Sequence, residues 1–267
     1  MSTNIDISIL ILCYNAEKFL DDCLLGVFNQ QTEATLQLVF MDDCSTDMSF
    51  EFATKLIKSH RPKFVDIQLI QNPKNLGCFL NMKKGLSFCT GKYIAYLEAD
   101  DYWTDINKLE YQWQFLRNNP NYSGIGGGCQ FVDEEGNKIE QKWYNLKEDK
   151  TFTNKDLWGY PPFQTSTFMF EKNEIANMKD NMRETISNDK ILYVFLSKNK
   201  LLKYEPSIVS NYRFHQTNIS HRFSRFQIFL KQINVNTLIF KQLGIKYSFL
   251  YVKSIFKYSL NYVKCLI

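Results

Sequence analysis

The first hundred residues alternate between two hydrophobic patterns. Runs rich in Ile, Val and Leu without a helical period are typical of buried strands. They are separated by segments in which apolar residues recur every three or four positions, as on one face of a helix. Strands are predicted at 5–12, 36–41, 64–71 and 92–97. Helices are predicted at 15–28 with Asn15 as N-cap, from the turn at 45–47 to residue 59, and from the loop at 72–77 to residue 89.

This alternation predicts βαβ units and a mostly parallel sheet. The pattern is less regular beyond residue 104, and no internal repeat occurs. It predicts a helix at 105–118, an irregular glycine-rich region at 126–128, a hairpin at 131–138, a strand at 165–170, a helix at 186–197, a short last strand at 208–214 and a basic helical tail beyond 222.

Composition and charge restrict the class of protein. The chain has 267 residues, of which 45% are apolar and 22% charged, as in one large folded domain with or without a small appendage. Its net charge of +4 is too small to indicate a nucleic-acid partner. Seven cysteines without a C-x-x-C spacing indicate reduced thiols in a cytoplasmic protein. Because polar residues interrupt the apolar runs, we expect neither a secretory signal nor a membrane span.

The charge is unevenly distributed. No acidic residue follows Glu205, and residues 206–267 carry nine Lys and Arg, so the first 205 residues have a net charge of −5. Four lysines fall within about 40° of one another on a predicted C-terminal helix whose remaining surface is mostly apolar: Lys246, Lys253, Lys257 and Lys264. Two interpretations of residues 222–267 stay open. The segment is either an amphipathic helix on an anionic membrane or a helix packed on the preceding domain.

Carboxylates follow two of the predicted strands. Asp42 and Asp43 end the second strand, and Glu98, Asp100 and Asp101 follow the fourth. Ligands bind outside the carboxyl ends of strands in parallel sheets. A hard cation such as Mg²⁺ or Mn²⁺ would relieve repulsion within the second cluster and bridge it to a diphosphate. The alternatives are a solvated acidic turn for that cluster and helix N-capping for the first.

Several separated motifs resemble those of family 2 glycosyltransferases, whose fold is called GT-A. The resemblance covers about residues 5–220. Its motifs are the opening strand and turn at 8–20, a V-D-D-x-S-T-D-like signature at 38–47, Asn75-Leu-Gly77, the stretch ending in the D-x-D metal motif at 91–103, the Asn119-Pro120 turn, 164–166, 187–189 and 212–215.

The resemblance implies an α/β fold with a Rossmann-like, mostly parallel sheet flanked by helices and followed by the basic amphipathic helical tail. The catalytic domain would be 1–221, with a nucleotide-binding half at 1–104 and an acceptor-binding half at 105–221. The implied activity is inverting transfer of a sugar from a nucleotide-diphosphate donor, with UDP expected, to a glycan or lipid-linked acceptor in bacterial surface polysaccharide, lipooligosaccharide or capsule synthesis. Such an enzyme is expected in the cytoplasm, at the inner face of the cytoplasmic membrane.

The resemblance also implies roles for individual residues. Tyr14 would stack on the nucleobase, Asp42 or Asp43 would bond its edge, and half burial is the alternative for Tyr14. The set expected to bind the nucleotide is Cys13, Tyr14, Asn15, Glu17, Asp42, Asp43, Asn75, Gly77, Lys84, Glu98 and Ala99. Mn²⁺ or Mg²⁺ is expected on Asp100, Asp101 and His215, with simple packing as the alternative for His215. Contacts with the donor sugar or acceptor are expected from Trp103, Gln164, Thr165, Asn188 and Arg213.

Asp189 falls where the family places its general base. In an inverting transfer the acceptor hydroxyl attacks from the face opposite the leaving nucleotide, so one carboxylate must take its proton there. A cation neutralises the charge that develops on the diphosphate. The alternative for Asp189 is a carboxylate stabilised by the dipole at a helix N-terminus.

The sequence departs from the family pattern at three places. Glu98 stands where Asp is usual, which leaves Asp100 as the safer metal ligand. Leu12-Cys13 replaces a common Pro-Thr, and Lys84 stands near a common Arg. A non-catalytic relative that binds a nucleotide or a membrane is the second hypothesis. A sugar nucleotidyltransferase is disfavoured because no glycine-rich loop follows the first strand.

Overall fold

The computed structural model describes residues 4–60, 63–140, 145–159, 161–175, 188–216, 218 and 223–264. Its strands are β1 Ile7–Cys13, β2 Leu36–Asp42, β3 Asp66–Gln71, β4 Tyr93–Glu98, β5 Tyr102–Trp103, β6 Tyr122–Val132, β7 Lys150–Phe152, β8 Met169–Glu171 and β9 Leu201–Arg213. Its helices are α1 Leu20–Phe28, α2 Ser49–Ser59, α3 Cys78–Phe88, α4 Lys108–Asn118, α5 Asn188–Leu196, α6 Arg225–Leu243 and α7 Ser248–Lys264.

The strands form one mixed sheet in the order β3-β2-β1-β4-β8-β6-β9-β5, with β7 beside β9. Strands β1 to β4 are mutually parallel, and β8 joins them to the second half by antiparallel pairing with β4 and β6. The four predicted strands of the first half and the mostly parallel sheet are confirmed. The long pair β6 and β9 is also parallel, so β8 is the strand that reverses direction inside the sheet.

The register brings the two predicted acidic clusters together. Cys13 at the end of β1 pairs with Asp42 on β2, and Leu12 pairs with Glu98 on β4. The acidic ends of β2 and β4 therefore flank the end of β1 at one edge of the sheet. This is the arrangement that the carboxyl-end rule predicts.

Both faces of the sheet are covered. Leu10 and Leu12 of β1 belong to a core that includes residues of α3 and α5, whereas Ile9 and Ile11 belong to a core that includes residues of α1 and α4. Successive side chains of a strand point to opposite faces. Burial on both faces is the reason that β1 reads as a continuous apolar run.

The glycines at 126–128 lie inside β6, so the prediction of an irregular region is wrong. A Cβ atom on Gly126 would lie 2.5 Å from the ring of Phe163, and one on Gly128 would lie 2.8 Å from the carbonyl oxygen of Pro206. The strand needs glycine because neighbouring groups occupy the space that side chains would take. A cluster of glycines in a sequence predicts a loop when the neighbouring parts of the fold are not known.

Two local predictions at element starts also differ. Asn15 has φ of +51° and is not an N-cap; the helical segment starts with a 3₁₀ turn at Glu17–Phe19. The strand predicted at 165–170 is a 3₁₀ turn at Thr165–Thr167 followed by β8. The last strand, predicted at 208–214, is longer than that, since β9 starts at Leu201. The helix predicted at 186–197 corresponds to α5, and its residues 186 and 187 lie outside the described residues.

The tail forms a helical hairpin that packs on the domain. Asn236 Nδ2 on α6 donates to Ser254 Oγ on α7 at 2.7 Å, and Tyr258 Oη on α7 donates to the carbonyl oxygen of Gly159 at 2.7 Å. Tyr258 and Ser254 are buried. Packing on the domain is therefore confirmed for α7, while its opposite face stays exposed through Phe249, Val252, Phe256 and Leu260.

Within the described ranges, no helix is both long and apolar enough to cross a membrane. Six cysteines lie within the described ranges and are thiols: Cys13, Cys23, Cys44, Cys78, Cys89 and Cys129.

Gly126→Ala should lower the free energy of unfolding by about 1–3 kcal/mol, because the added methyl group overpacks the contact with Phe163. Urea denaturation of the purified chain measures the change. Ser207→Ala on the exposed part of β9 is the control and should stay within about 0.5 kcal/mol of the parent. Equal stability of Gly126→Ala and the parent would contradict the close packing of β6.

Candidate active site

Asp43, directly after β2, shapes the loop before α3. Its Oδ1 accepts hydrogen bonds from Asn72 Nδ2 and Leu76 N, and its Oδ2 accepts one from Gly77 N, each at 2.8 Å. Gly77 has φ of +81°, a conformation that favours glycine. The carboxylate is only 3% exposed. It therefore acts as the acceptor that fixes loop 72–77 at the edge of the sheet.

Asp42 ties the turn after β2 to the turn after β1. Ser45 donates to it from its main-chain N at 3.0 Å and from Oγ at 2.5 Å. The same Oγ accepts Asn15 N at 2.9 Å, and Glu17 Oε2 accepts Met48 N at 3.0 Å. Four of the expected nucleotide-binding residues (Asp42, Asp43, Asn15 and Glu17) thus hold the two turns and the following loop in place.

Tyr14 stands between these turns and is 46% exposed, so its ring can receive a flat ligand. Its neighbours at the strand ends are different. Cys13 and Ala99 are buried, and Ala99 N donates to the carbonyl oxygen of Leu12 at 2.9 Å. Burial raises the pKa of the Cys13 thiol, which stays neutral. Of these three residues, Tyr14 is the one whose side chain is offered to solvent.

Two more of the expected nucleotide-binding residues lie around the loop before α3. Lys84 Nζ donates to Asn72 Oδ1 at 2.7 Å. Asn75 Oδ1 accepts Gly77 N at 2.9 Å, and Asn75 itself is exposed. The structure therefore brings a cation, an exposed amide and the exposed ring of Tyr14 to the edge that Asp42 and its neighbour organise.

Asp101 is turned into the protein. It is 2% exposed, and its Oδ1 accepts Arg213 N at 3.0 Å. Burial, followed by the charges of Asp100 and Glu98, holds the pKa of this carboxyl well above its usual range. The expectation that Asp101 binds a metal is not supported by this placement, because the carboxylate supports β9 instead of facing solvent.

Arg213, which is expected to contact the acceptor or the donor sugar, is buried and hydrogen-bonded to several parts of the fold. Its Nη2 donates to Asp22 Oδ2 at 2.5 Å, its Nη1 to the Glu134 carbonyl oxygen at 2.5 Å, and its Nε to the Asp100 carbonyl oxygen at 3.2 Å. All three guanidinium nitrogens are therefore in use. The residue is 2% exposed, so a ligand would have to displace one of these partners.

Asp100 and His215 face each other. Nε2 of His215 lies 3.0 Å from Oδ2 of Asp100, and the imidazole packs against Phe19 with ring centroids 5.1 Å apart. The Asp100 side chain is 29% exposed and that of His215 is 8% exposed. A cleft of about 300 Å³ opens beside His215 and is lined by residues 133–135 and 214–216. The pair expected to hold the metal is thus brought together at an open position.

Glu98 lies behind this pair at the end of β4. Burial and the charge of Asp100 raise its pKa to about 8, and Asp189 contributes to the rise. A hydrogen bond with Thr165 opposes it. Within the described residues, its Oε2 is buried without a hydrogen-bond partner. The side chain of Glu98, which is longer than the usual Asp, thus places a carboxyl oxygen in a buried position next to the Asp100–His215 pair.

Asp189 begins α5, where the helix dipole favours a carboxylate. Burial raises its pKa to about 6, while hydrogen bonding and the charge of Lys190 oppose the rise. Its charge raises the pKa values of Glu98, Tyr96 and Tyr193. Tyr96 of β4 and the apolar residues of α5 belong to one hydrophobic core, so α5 covers that face of the sheet. A carboxyl group that ionises near neutral pH is suited to accept a proton.

Trp103 does not face the site. It is 3% exposed, its Nε1 donates to the Ser166 carbonyl oxygen at 2.7 Å, and Lys108 Nζ lies 4.3 Å from its ring centroid. The expected sugar contact is therefore corrected, because the indole is part of the core. Gln164 and Thr165 are partly buried in the 3₁₀ turn beside β4, and the side chain of Asn188 lies outside the described residues.

Sequence reasoning missed three residues that shape the site. Asn72 links Asp43 to Lys84, Asp22 pairs with Arg213, and Lys190 is fully buried next to Asp189. The position of Lys190 directly before the apolar run 191–196 of α5 was the one available signal, since lysine is rarely buried without a partner. Asn72 and Asp22 carry no comparable sequence signal.

Solved structures establish the class of fold. TarS of S. aureus, determined in complex with UDP-GlcNAc, superposes with a TM-score of 0.66 over 87% of this chain and 66% of that one, at 16% identity. The mannosyltransferase PcManGT of Pyrobaculum calidifontis, in complex with GDP-Man and Mn²⁺, gives a TM-score of 0.66 over 89% and 64%, at 14% identity. The fold is GT-A.

The family follows from the sequence comparison. The model described as Glycosyl transferase family 2 matches residues 8–176, which is more than half of the chain. The chain belongs to this family.

Curated relatives match between 41% and 83% of this chain. A Bacillus subtilis protein named as putative teichuronic acid biosynthesis glycosyltransferase TuaG is 30% identical over 111 residues, 41% of this chain and 41% of that one. The chain spans from 37% to 69% of the length of the curated relatives that it matches, and about half of several of them.

Asp43→Asn should lower the free energy of unfolding by about 1–3 kcal/mol, because the amide replaces a carboxylate that accepts three hydrogen bonds in a buried position. Thermal and urea unfolding measure the loss. Glu33→Gln removes one charge from an exposed residue and is the matched control. If both variants unfold alike, Asp43 does not hold the loop before α3.

Proposed function

We propose that this chain is a metal-assisted inverting glycosyltransferase that moves a sugar from a nucleotide-diphosphate donor to a hydroxyl acceptor. The observation that carries the proposal is the Asp100–His215 pair just after β4, in which Oδ2 and Nε2 lie 3.0 Å apart. The proposal also uses the exposed ring of Tyr14 after β1 and the Asp189 carboxyl on α5. Asp100 and His215 are suited to hold a cation against the donor diphosphate. The carboxylate of Asp189 is suited to accept the proton of the acceptor hydroxyl. We assign the donor to residues 1–104 and the acceptor to residues 105–221.

The donor set fits a divalent cation. Asp100 supplies an accessible carboxylate, and His215 supplies a ring nitrogen 3.0 Å from it. Mg²⁺ and Mn²⁺ need one or two such protein ligands when a diphosphate and water complete the shell. Within the described ranges, no group of three or more His, Cys, Asp or Glu side chains is placed to hold a metal ion by itself. When bound, the cation stabilises negative charge on the leaving diphosphate.

Asp189 is the proposed general base. The acceptor hydroxyl donates its proton to the carboxylate while its oxygen forms the new bond at the anomeric carbon, and the bond to the nucleotide diphosphate breaks on the opposite face. Positioned proton transfer of this kind contributes about 10²–10⁴-fold to the rate. Asp189 belongs to α5, whereas Asp100 follows β4 and His215 follows β9, so the proposed base and the proposed metal ligands come from different elements of the fold.

UDP is the proposed nucleotide, and the proposed process is surface-glycan synthesis in the cytoplasm. The support is the UDP-GlcNAc bound by TarS and the name of TuaG, which refers to teichuronic acid biosynthesis. The second hypothesis is a relative that binds a nucleotide without turnover. Turnover with the metal separates the two.

The first test is thermal unfolding with UDP, GDP, dTDP and CMP, each with and without Mn²⁺. We expect one nucleotide to raise the midpoint only with Mn²⁺. Saturation at about one hundred times the dissociation constant adds roughly 2.7 kcal/mol to the free energy of unfolding. Asp100→Ala and His215→Ala should lose the metal-dependent rise, whereas Glu33→Gln, at an exposed residue before β2, should keep it. A metal-dependent rise that survives both substitutions would exclude the proposed ligands.

The second test concerns Asp189. Asp189→Asn should bind the nucleotide as the parent does and lose at least about 100-fold in kcat, because the amide cannot accept the proton. In the parent, kcat should fall as pH decreases through about 6, since protonation removes the base. Rates are measured by nucleotide release from a panel of UDP-sugars with glycan acceptors. Full activity of the Asn variant would refute the base assignment, and turnover by neither protein would favour the binding-only hypothesis.

We also propose that the outer face of α7 contacts an anionic membrane. Phe249, Val252, Phe256 and Leu260 recur at helical spacing on its surface and are 44% to 74% exposed. Exposed lysines lie on the same helix at Lys253 and Lys257, and the tail has no acidic residue. Apolar side chains in the acyl boundary and lysines near anionic headgroups bind such a surface. A lipid-linked acceptor would be reached from this position.

Co-sedimentation with vesicles tests the membrane contact. We expect the chain to bind phosphatidylcholine vesicles that contain phosphatidylglycerol and to bind pure phosphatidylcholine weakly. Phe249→Gln with Phe256→Gln should weaken binding by roughly tenfold or more, because each ring loses apolar burial. Met48→Gln with Val65→Gln removes two equally exposed apolar residues away from α7 and is the control. Equal binding of both variants would refute this surface.

A further inference from the structure

Lys190 is an unusual neighbour for the proposed base. It is fully buried, follows Asp189 directly at the start of α5, and its Nζ donates to Tyr258 Oη at 3.0 Å. A buried ammonium is costly unless it is hydrogen-bonded and compensated by an opposite charge. Both conditions are met here, by the tyrosine oxygen and by the adjacent carboxylate.

The direction of the hydrogen bonds is fixed by Tyr258. Its hydroxyl donates to the Gly159 carbonyl oxygen at 2.7 Å, so the oxygen is free to accept from Lys190. A carbonyl oxygen cannot donate, and an ammonium cannot accept. Because an ammonium is a stronger hydrogen-bond donor than a neutral amine, the chain of bonds from Lys190 to Gly159 favours the charged form of the lysine.

The tail holds Tyr258 in this position. The tyrosine is 3% exposed on α7, and α7 is tied to α6 by Asn236 with Ser254 at 2.7 Å and by Thr237 with Tyr251 at 3.1 Å. The residue that reaches the start of α5 thus belongs to the C-terminal hairpin, far in sequence from the rest of the site.

We propose that Tyr258 is a positioning residue, which holds Lys190 charged beside Asp189 and so makes the C-terminal hairpin part of the catalytic machinery. The inference deepens the proposed function and rests on Asp189 as its base. Tyr251 bonds α7 to α6 within the hairpin, whereas Tyr258 bonds Lys190, the residue next to the proposed base.

The electrostatics agree with this connection. Burial lowers the pKa of Lys190 to about 7; the charge of Asp189 raises it and that of Lys257 lowers it further. Near neutral pH, both the charged and the neutral form of Lys190 are therefore populated. The loss of one hydrogen bond changes the proportion of the two forms. The titratable groups that face Asp189 and Lys190 come from three elements. The charge of Asp189 raises the pKa values of Tyr96 and Glu98 of β4 and of Tyr193 of α5. On α7, the charge of Lys257 lowers the pKa of Lys190, and Tyr258 is hydrogen-bonded to it.

The expected effect has a definite sign. A charged Lys190 favours the ionised form of Asp189 and lowers its pKa. Tyr258→Phe removes the oxygen that accepts the hydrogen bond from Lys190, so the pKa of the lysine falls. Because the lysine is then less often charged, Asp189 stays protonated to higher pH. The pKa of Asp189 should rise by about 0.5–1 unit in Tyr258→Phe, and by at least as much in Lys190→Met.

Two readouts on the full chain measure this shift. The first is the acid limb of the kcat–pH profile. The second is a ¹³C NMR titration of the Asp189 carboxyl carbon, assigned by its absence in Asp189→Asn, which needs no turnover. Tyr251→Phe is the matched control: it also removes a tyrosine hydroxyl that bonds the hairpin, but one that contacts Thr237 instead of Lys190.

The inference is supported if Tyr258→Phe, folded by circular dichroism, shifts the titration to higher pH while Tyr251→Phe does not. It is overturned if the Asp189 titration is the same in Tyr258→Phe and the parent, or if both tyrosine variants shift it equally. Should Lys190→Met not fold, the two tyrosine variants decide alone. Failure of the proposed function is separate, because it appears as turnover that survives Asp189→Asn or as no turnover in the parent.

Discussion

The guanidinium of Arg213 is the interaction on which the site depends. It joins Asp22 of α1, the main chain at Asp100 and the turn at Glu134, three segments that are far apart in sequence. Its own main-chain N is bound by Asp101, so the end of β9 is fixed to the acidic loop from both directions. Because one planar cation with donors on all three nitrogens spans these partners, a shorter or less rigid side chain could not replace it.

The carboxylates at this edge divide into two kinds by exposure. Those that are buried accept hydrogen bonds from the loops around them: Asp42, Asp43 and Asp101. Asp100 is more accessible and faces a histidine across 3.0 Å, which leaves it suited to a ligand. The division follows from desolvation, since a buried carboxylate is stable only when donors surround it. The acid-rich edge is therefore mostly a scaffold that presents a few reactive groups.

The hairpin of α6 and α7 shows how one helix can meet two demands. Its inner face buries Tyr258 and Ser254, and its outer face exposes phenylalanines beside lysines. The membrane and packing interpretations of the tail were alternatives at the level of sequence, since a lysine stripe with apolar residues around most of the helix fits both. In the structure they concern different faces of α7, so packing of the inner face leaves the outer one available.

The sequence by itself determined the four strands of the first half, the edge at which the acidic clusters meet, and the family. Runs buried on both faces, turn residues and short motifs are local signals, and β1 to β4 depend on little else. Only the tertiary structure decided that Gly126 and Gly128 lie in a strand, that Trp103 and Arg213 are buried, and that Lys190 reaches Tyr258. Those outcomes depend on neighbours 30 or more positions away, such as Phe163 against Gly126. No local pattern of residue types contains that information.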